Sequence, residues 1–141
     1  MEDSKRRLLR HGMILFLLGL LTGFVEHRYT NPRMGLAAHL EGVMNGTFLL
    51  ALAAGWAEVR LNSRLKSAAY WGMLYGTYMN WAMTTLAAIL GTAALSPITG
   101  AGHGGQPWQE NLVTFGFMTV GAAMVASSIL VLCGLRRLAV S

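Results

Sequence analysis

From Ser67 to Gln109 the chain carries no Lys, Arg, Asp or Glu, and long apolar stretches stand on both sides of that run. A helix needs about 20 mostly apolar residues to cross the hydrocarbon core of a bilayer. Four segments qualify: Leu8 to Val25, Leu36 to Trp56, Ala68 to Leu95 and Leu112 to Leu135. Of 141 residues, 54% are hydrophobic and only 12% are charged, against about 25% charged in an ordinary soluble domain. That balance excludes disorder, a disulfide scaffold and a free-standing soluble enzyme. A single cysteine, Cys133, excludes an internal disulfide and any cysteine-built zinc or iron–sulfur site. The net charge of +5 is divided among short segments between apolar runs, a distribution that points to lipid and away from nucleic acid. The expectation is an all-α integral membrane protein, a single domain over residues 1–141 built as a bundle of four transmembrane helices.

Basic residues near helix ends set the orientation. Lys5, Arg6, Arg7 and Arg10 precede the first span, Arg60, Arg64 and Lys66 lie in the second loop, and Arg136 and Arg137 follow the last. Only Arg28 and Arg33 fall on the other side. Both termini are therefore expected in the cytoplasm, with the chain a multi-pass protein of the inner membrane. The first span resembles a signal peptide, but Glu26, His27, Arg28 and Tyr29 follow it in place of a small-residue cleavage site, so it reads as a retained helix. Asn31-Pro32 marks a turn before the second span, and Ser96 to Asn111, rich in Gly and Pro, reads as irregular structure.

Helices in lipid associate through close packing of small residues. Gly19/Gly23, Gly42/Gly46 and Gly72/Gly76 place one such pair on each of the first three spans. A protein this small has little interior volume for a pocket, so a site shared between copies of the chain, and hence a homo-oligomer, is expected.

Polar groups inside a bilayer are costly and usually functional. The second span carries His39, Glu41 and Asn45, and the third carries Tyr75, Thr77, Tyr78, Asn80, Thr84 and Thr85. Glu41 and Asn45 are four apart and share a helix face, whereas His39 and Asn45 do not. Thr77, Asn80 and Thr84 form one stripe, with Tyr78 and Trp81 beside it. A histidine on one face and amides on another would suit a cofactor held between subunits. Each group has a plainer reading. His39 is a ligand or a solvated interfacial histidine. Glu41 faces the outer aqueous side, pairs with Arg33 or serves the site, and Asn45 and Asn80 are substrate-facing or interhelical glue. His11, His27 and His103 read as solvated or interfacial, and the roles of Tyr75 and His103 stay open. No phosphate-binding glycine motif, H-E-x-x-H or di-iron carboxylate pattern is present, and Asp3 is the only aspartate.

The blocks HGMILFLLGLLTG (His11 to Gly23), NPRMGLAAHLEGVMNGTFLL (Asn31 to Leu50), LYGTYMNWAMTTLAAILGTA (Leu74 to Ala93) and PITGAGHGGQPWQENLV (Pro97 to Val113) resemble the hydroxylaminobenzene mutases, small bacterial membrane enzymes. The likeness runs from about Leu8 to Arg137. A more distant similarity to styrene oxide isomerase is carried by His39, Asn45 and Gly46 in the pattern His-x5-Asn-Gly, and by Asn80.

The resemblance implies an isomerase that converts hydroxylaminobenzene to 2-aminophenol, as in nitroaromatic degradation. From the distant relative it implies a homotrimer of four-helix subunits holding haem b, with His39 as the iron ligand and Asn45 and Asn80 orienting substrate. That relative has a tyrosine where this chain has Thr84, and an aspartate near Gly76 or Thr77 that this chain lacks, so the substrate chemistry is expected to differ. Tyr78 and Thr84 complete the expected catalytic set, with Phe48, Tyr78 and Trp81 stacking on the aryl ring. Two other readings compete: an aryl epoxide isomerase, and a non-catalytic subunit that anchors haem.

Overall fold

A computed structural model describes residues 2–136 of the chain. Its long helices are α1 (Glu2–Val25), α2 (Pro32–Gly55), α3 (Ser63–Leu90) and α5 (Pro107–Arg136), with a short α4 (Pro97–Gly100) between the last two. No strand occurs among the described residues. Among the described residues, three stretches are long and apolar enough to cross a membrane: Asp3–Arg28, Pro32–Glu58 and Pro107–Arg136. Helix α3 is as long, at 28 residues. Its Tyr75, Thr77, Tyr78, Asn80, Thr84 and Thr85 dilute its apolar character below that of a lipid-crossing stretch. Arg137, counted above among the cytoplasmic basic residues, lies outside the described residues.

Helix boundaries depart from the expected spans at points with clear local causes. Helix α2 begins a full turn before Leu36, because Asn31 caps it and Pro32 occupies the first turn, where a missing N–H costs nothing. Helix α3 stops at Leu90 and not at Leu95, since Gly91 takes the left-handed conformation (φ 74°) that ends a helix. The Gly- and Pro-rich loop is partly ordered. It contains α4, and α5 has already started at Pro107.

The long helices pack in chain order: α1 along α2, α2 along α3, and α3 along α5. Among the described residues, α5 makes no more than marginal contact with α1 or α2. The result is a helical row that folds back at one end, with α1 also touching α3 and α5 resting mainly on α3. Glycine makes the close approaches. A Cβ on Gly19 would run into the backbone of Gly42 and Val43, and one on Gly46 into Phe16. On the other seam, a Cβ on Gly72 would strike Ser127 and one on Gly76 would strike Met124.

Two apolar clusters fill the row at opposite ends. Leu8, Leu15, Leu49, Ala53, Trp56, Tyr70 and Met73 form one, and Met34, Ala87, Ala88 and Val113 form the other. The second is closed by Asn31, which is fully buried. Its Oδ1 accepts from Met34 N at 3.1 Å, and its Nδ2 donates to the carbonyls of Thr99 and Gly100 at 2.9 and 3.0 Å. Its own N–H donates to Ala88 O at 3.0 Å. One asparagine thus ties α2, α3 and α4 together. Nearby, the Glu110 carboxylate accepts from the backbone N–H groups of Ala93, Ala94 and Gly105.

Candidate functional site

Between the two apolar clusters lies a polar layer. Because α2 starts early, Glu41 and Asn45 stand more than two turns inside it, so Glu41 is well removed from the N-terminal end of the helix. Glu41 is half-buried against α3, and its Oε2 accepts from Asn45 Nδ2 at 3.2 Å and from Asn80 Nδ2 across the seam. Asn45 Nδ2 also donates to Thr77 O at 3.4 Å. Among the described residues the hydrogen-bond partners of Glu41 are therefore the two amides, in place of Arg33.

The hydroxyls of this layer are turned back onto their own helix. Thr77 Oγ1 donates to Met73 O at 2.8 Å, and Thr84 Oγ1 donates to Asn80 O at 2.8 Å. Trp81 reaches the other way, its indole N–H donating to Thr22 Oγ1 of α1 at 3.0 Å. Tyr78 is also directed at α1: its hydroxyl lies 3.1 Å from His11 Nδ1 and donates to His11 O at 3.2 Å.

His39 occupies the opposite face of α2, against α1. Its Nδ1 is 2.8 Å from Gly19 O. A carbonyl only accepts, so Nδ1 carries the hydrogen and Nε2 keeps its lone pair. The ring packs on Gly23, where a Cβ would sit 2.7 Å from Nδ1. Outward it lines an apolar surface groove of about 400 Å³ with Leu17, Leu20, Phe24, Leu36 and Glu26. Oε2 of Glu26 is buried and has no hydrogen-bond partner among the described residues. No cluster of three or more His, Cys, Asp or Glu side chains suited to a metal ion occurs there either.

Within one chain, then, Asn45 and Asn80 are brought together, and Glu41 joins them. Thr84 sits one turn beyond with its hydroxyl occupied. Tyr78 and His39 face elsewhere, as does Phe48, which is 37% exposed on the outer side of α2. The spacing of Glu41 and Asn45 signalled a shared face, but that Asn80 of another helix completes the group was not readable from one sequence. Asn31 was read only as a turn marker, and its hub role follows from contacts distant in the chain.

A family model described as styrene oxide isomerase matches residues 4–136. This chain belongs to the styrene oxide isomerase family. Within that family it is 46% identical over 132 residues to hydroxylaminobenzene mutase HabB of Ectopseudomonas oleovorans, covering 93% of this chain and 80% of the relative. To hydroxylaminobenzene mutase HabA of the same organism it is 41% identical over 127 residues, covering 89% and 94%. It belongs with the hydroxylaminobenzene mutases and is an isomerase enzyme, which removes the non-catalytic anchor from the competing readings. No solved structure matches the chain.

Proposed function

We propose that this member of the styrene oxide isomerase family rearranges hydroxylaminobenzene to 2-aminophenol by intramolecular hydroxyl transfer, in the inner membrane of a bacterium. The observation that carries the reading is its likeness to two hydroxylaminobenzene mutases along nearly the whole chain. In this reading α3 is a fourth span, sheltered between α2 and α5, and both termini are cytoplasmic. The positive-inside distribution supports that orientation.

The same reading gives the enzyme haem b, held by His39. The residues fit that group. A ligating histidine ordinarily donates its other ring N–H to a carbonyl or carboxylate, which fixes the tautomer and the ring. His39 does so through Gly19 O, with an apolar groove beyond it. When bound, ferric haem supplies a Lewis acid for the hydroxylamine oxygen. His39 and the amides lie on different faces of α2, so the site is composed between copies of the chain, His39 from one and Asn45 and Asn80 from the next. A homotrimer is the assembly proposed.

The rearrangement keeps every atom. The N–O bond breaks, a C–O bond forms at the ortho carbon, and the displaced ring hydrogen ends on nitrogen. The chain's part is to bind, orient and exclude water. Asn45 and Asn80 hold the polar end of the substrate, and the apolar surroundings keep bulk water from trapping the ring at the para position. Thr84, one turn beyond Asn80, adjoins the site with its hydroxyl bonded to Asn80 O, whereas Tyr78 and Trp81 are turned toward α1 and act by supporting α3.

Replacing His39 with Ala is the test. The variant should lose the haem absorption band and 2-aminophenol formation together, and full activity in it would refute the assignment. A second reading, isomerisation of an aryl epoxide, is favoured by the family description itself. It predicts turnover of styrene oxide at a rate comparable with hydroxylaminobenzene.

A further inference from the structure

The polar layer between α2 and α3 has an unusual balance of donors and acceptors. The Asn45 amide nitrogen donates to Glu41 Oε2 at 3.2 Å and to Thr77 O at 3.4 Å. The Asn80 amide nitrogen is engaged by the same carboxylate oxygen. Turning either amide over would set its Oδ1 against a carboxylate oxygen, and for Asn45 against a backbone carbonyl as well. With Glu41 ionised, neither arrangement forms a hydrogen bond, since amide, carboxylate and carbonyl oxygens all lack a proton to donate. The orientation of the Asn80 amide is therefore determined by Glu41, and that of Asn45 by Glu41 together with Thr77 O.

The consequence is a surface of one polarity. Oδ1 of Asn45 and Oδ1 of Asn80 accept no hydrogen bond from the described residues, and neither is among the fully buried unpaired atoms. The neighbouring donors are all occupied. The Thr77 and Thr84 hydroxyls bond to their own helix, and the Trp81 indole bonds to Thr22. What the layer leaves free is acceptors alone: the Oδ1 atoms of Asn45 and Asn80, and Oε1 of Glu41 itself.

We propose that Glu41 is a positioning residue that determines specificity. By holding both amide nitrogens it leaves the carbonyls of Asn45 and Asn80 for the substrate, and so selects aromatic compounds bearing N–H or O–H donors over ethers and epoxides, which only accept. The inference deepens the proposed function, and it rests on Asn45 and Asn80 facing substrate as that reading has it. An arylhydroxylamine offers two donors where an aryl epoxide offers none, which also separates the two readings chemically.

The experiment uses two inert ligands of similar size, aniline as donor and anisole as acceptor only. Their binding to the detergent-purified protein is measured by equilibrium dialysis. The aniline-to-anisole affinity ratio is compared between variants and wild type, so that partitioning into detergent cancels. Glu41→Leu should lower the ratio about tenfold, the scale of one well-placed hydrogen bond. Glu41→Gln, whose Oε1 still accepts from an amide, should keep it within about twofold of wild type. An unchanged ratio in a folded Glu41→Leu protein overturns the proposal. A Glu41→Gln ratio as low as that of Glu41→Leu also overturns it, because charge and not amide holding would then be the cause. Should Glu41→Leu fail to fold, Asn45→Ala removes one acceptor directly and should lower the ratio; a full donor preference in that variant is again contrary. Because binding is read without turnover, a wild-type protein that fails to rearrange hydroxylaminobenzene sinks the proposed function and leaves this comparison readable.

Discussion

The two faces of α2 are built on opposite principles. Toward α1 the seam is dry and close: Gly19 against Gly42 and Gly46 against Phe16, backbone nearly on backbone. Toward α3 it is polar, with Glu41, Asn45 and Asn80 joined by hydrogen bonds midway between two apolar clusters. Lipid supplies no hydrophobic drive for helices to meet, so shape-matched packing of small residues holds the first seam. Interhelical hydrogen bonds in membranes contribute only about 0.6 kcal/mol on average, so the second seam is a weak fastener. A carboxylate and two amides there are better explained by the chemistry they present. One face of α2 packs by close approach, and the other carries the polar groups that the proposed reaction would use.

The sharpest way to break that division is Gly42→Leu. No rotamer relieves a Cβ that meets the Gly19 backbone, and overpacking of this kind costs about 3 kcal/mol or more. The variant should not yield folded protein in detergent, as read by circular dichroism and size-exclusion chromatography. A normally folded Gly42→Leu protein would mean that α1 and α2 are held by something other than close approach. Asn80→Ala is the complementary test. It removes one hydrogen bond across the polar seam, so thermal stability should fall by less than about 1 kcal/mol. Turnover should fall about a hundredfold, the scale of a substrate held roughly 1 Å out of place. A large stability loss with little change in rate would reverse the roles given to the two seams.

How far this was legible in the sequence differs between the two faces in the same way. Close packing through Gly19, Gly42, Gly46, Gly72 and Gly76 follows from their spacing, because a small residue every fourth position makes one stripe whatever the partner. The helical class followed from the absence of charge between Ser67 and Gln109. The order in which the helices pack did not, because nothing in a single helix names its neighbours. The polar seam was half legible. Glu41 and Asn45 share a face by arithmetic, but the bond from Asn80 depends on the register between α2 and α3. That register is fixed far away, by the second loop and by Asn31. Reading Leu36 as the start of α2 had also placed Glu41 near the membrane surface. The cap at Asn31 and the proline after it were the local signals that move it inward.

His39 stands at the edge of the dry seam, which gives a third and milder test. Gly23→Ala adds a methyl group whose carbon would lie 2.7 Å from Nδ1 of the imidazole. The ring must shift from Gly19 O to make room. Loss of such a supporting bond commonly weakens metal binding about tenfold to a hundredfold. On the haem assignment proposed above, retention of the group through purification should therefore drop in Gly23→Ala while the helical content is kept. Unchanged haem content would show that the contact with α1 does not orient His39.

The smallest effect is expected where the two seams meet. The Trp81 indole crosses from α3 to α1 and donates to Thr22 Oγ1 at 3.0 Å, and Thr22 itself is buried and donates to Leu18 O at 2.8 Å. Thr22→Val keeps the shape and removes the acceptor, leaving an indole N–H without a partner. Trp81→Phe removes the donor instead. The double-mutant cycle isolates the bond, since each change alone loses the same interaction. Its coupling should be about 0.6 kcal/mol, the average for such bonds in a membrane. A coupling of about 3 kcal/mol or more would make this polar link comparable with the glycine seam, and α1 would then be held to the row as much by hydrogen bonding as by packing.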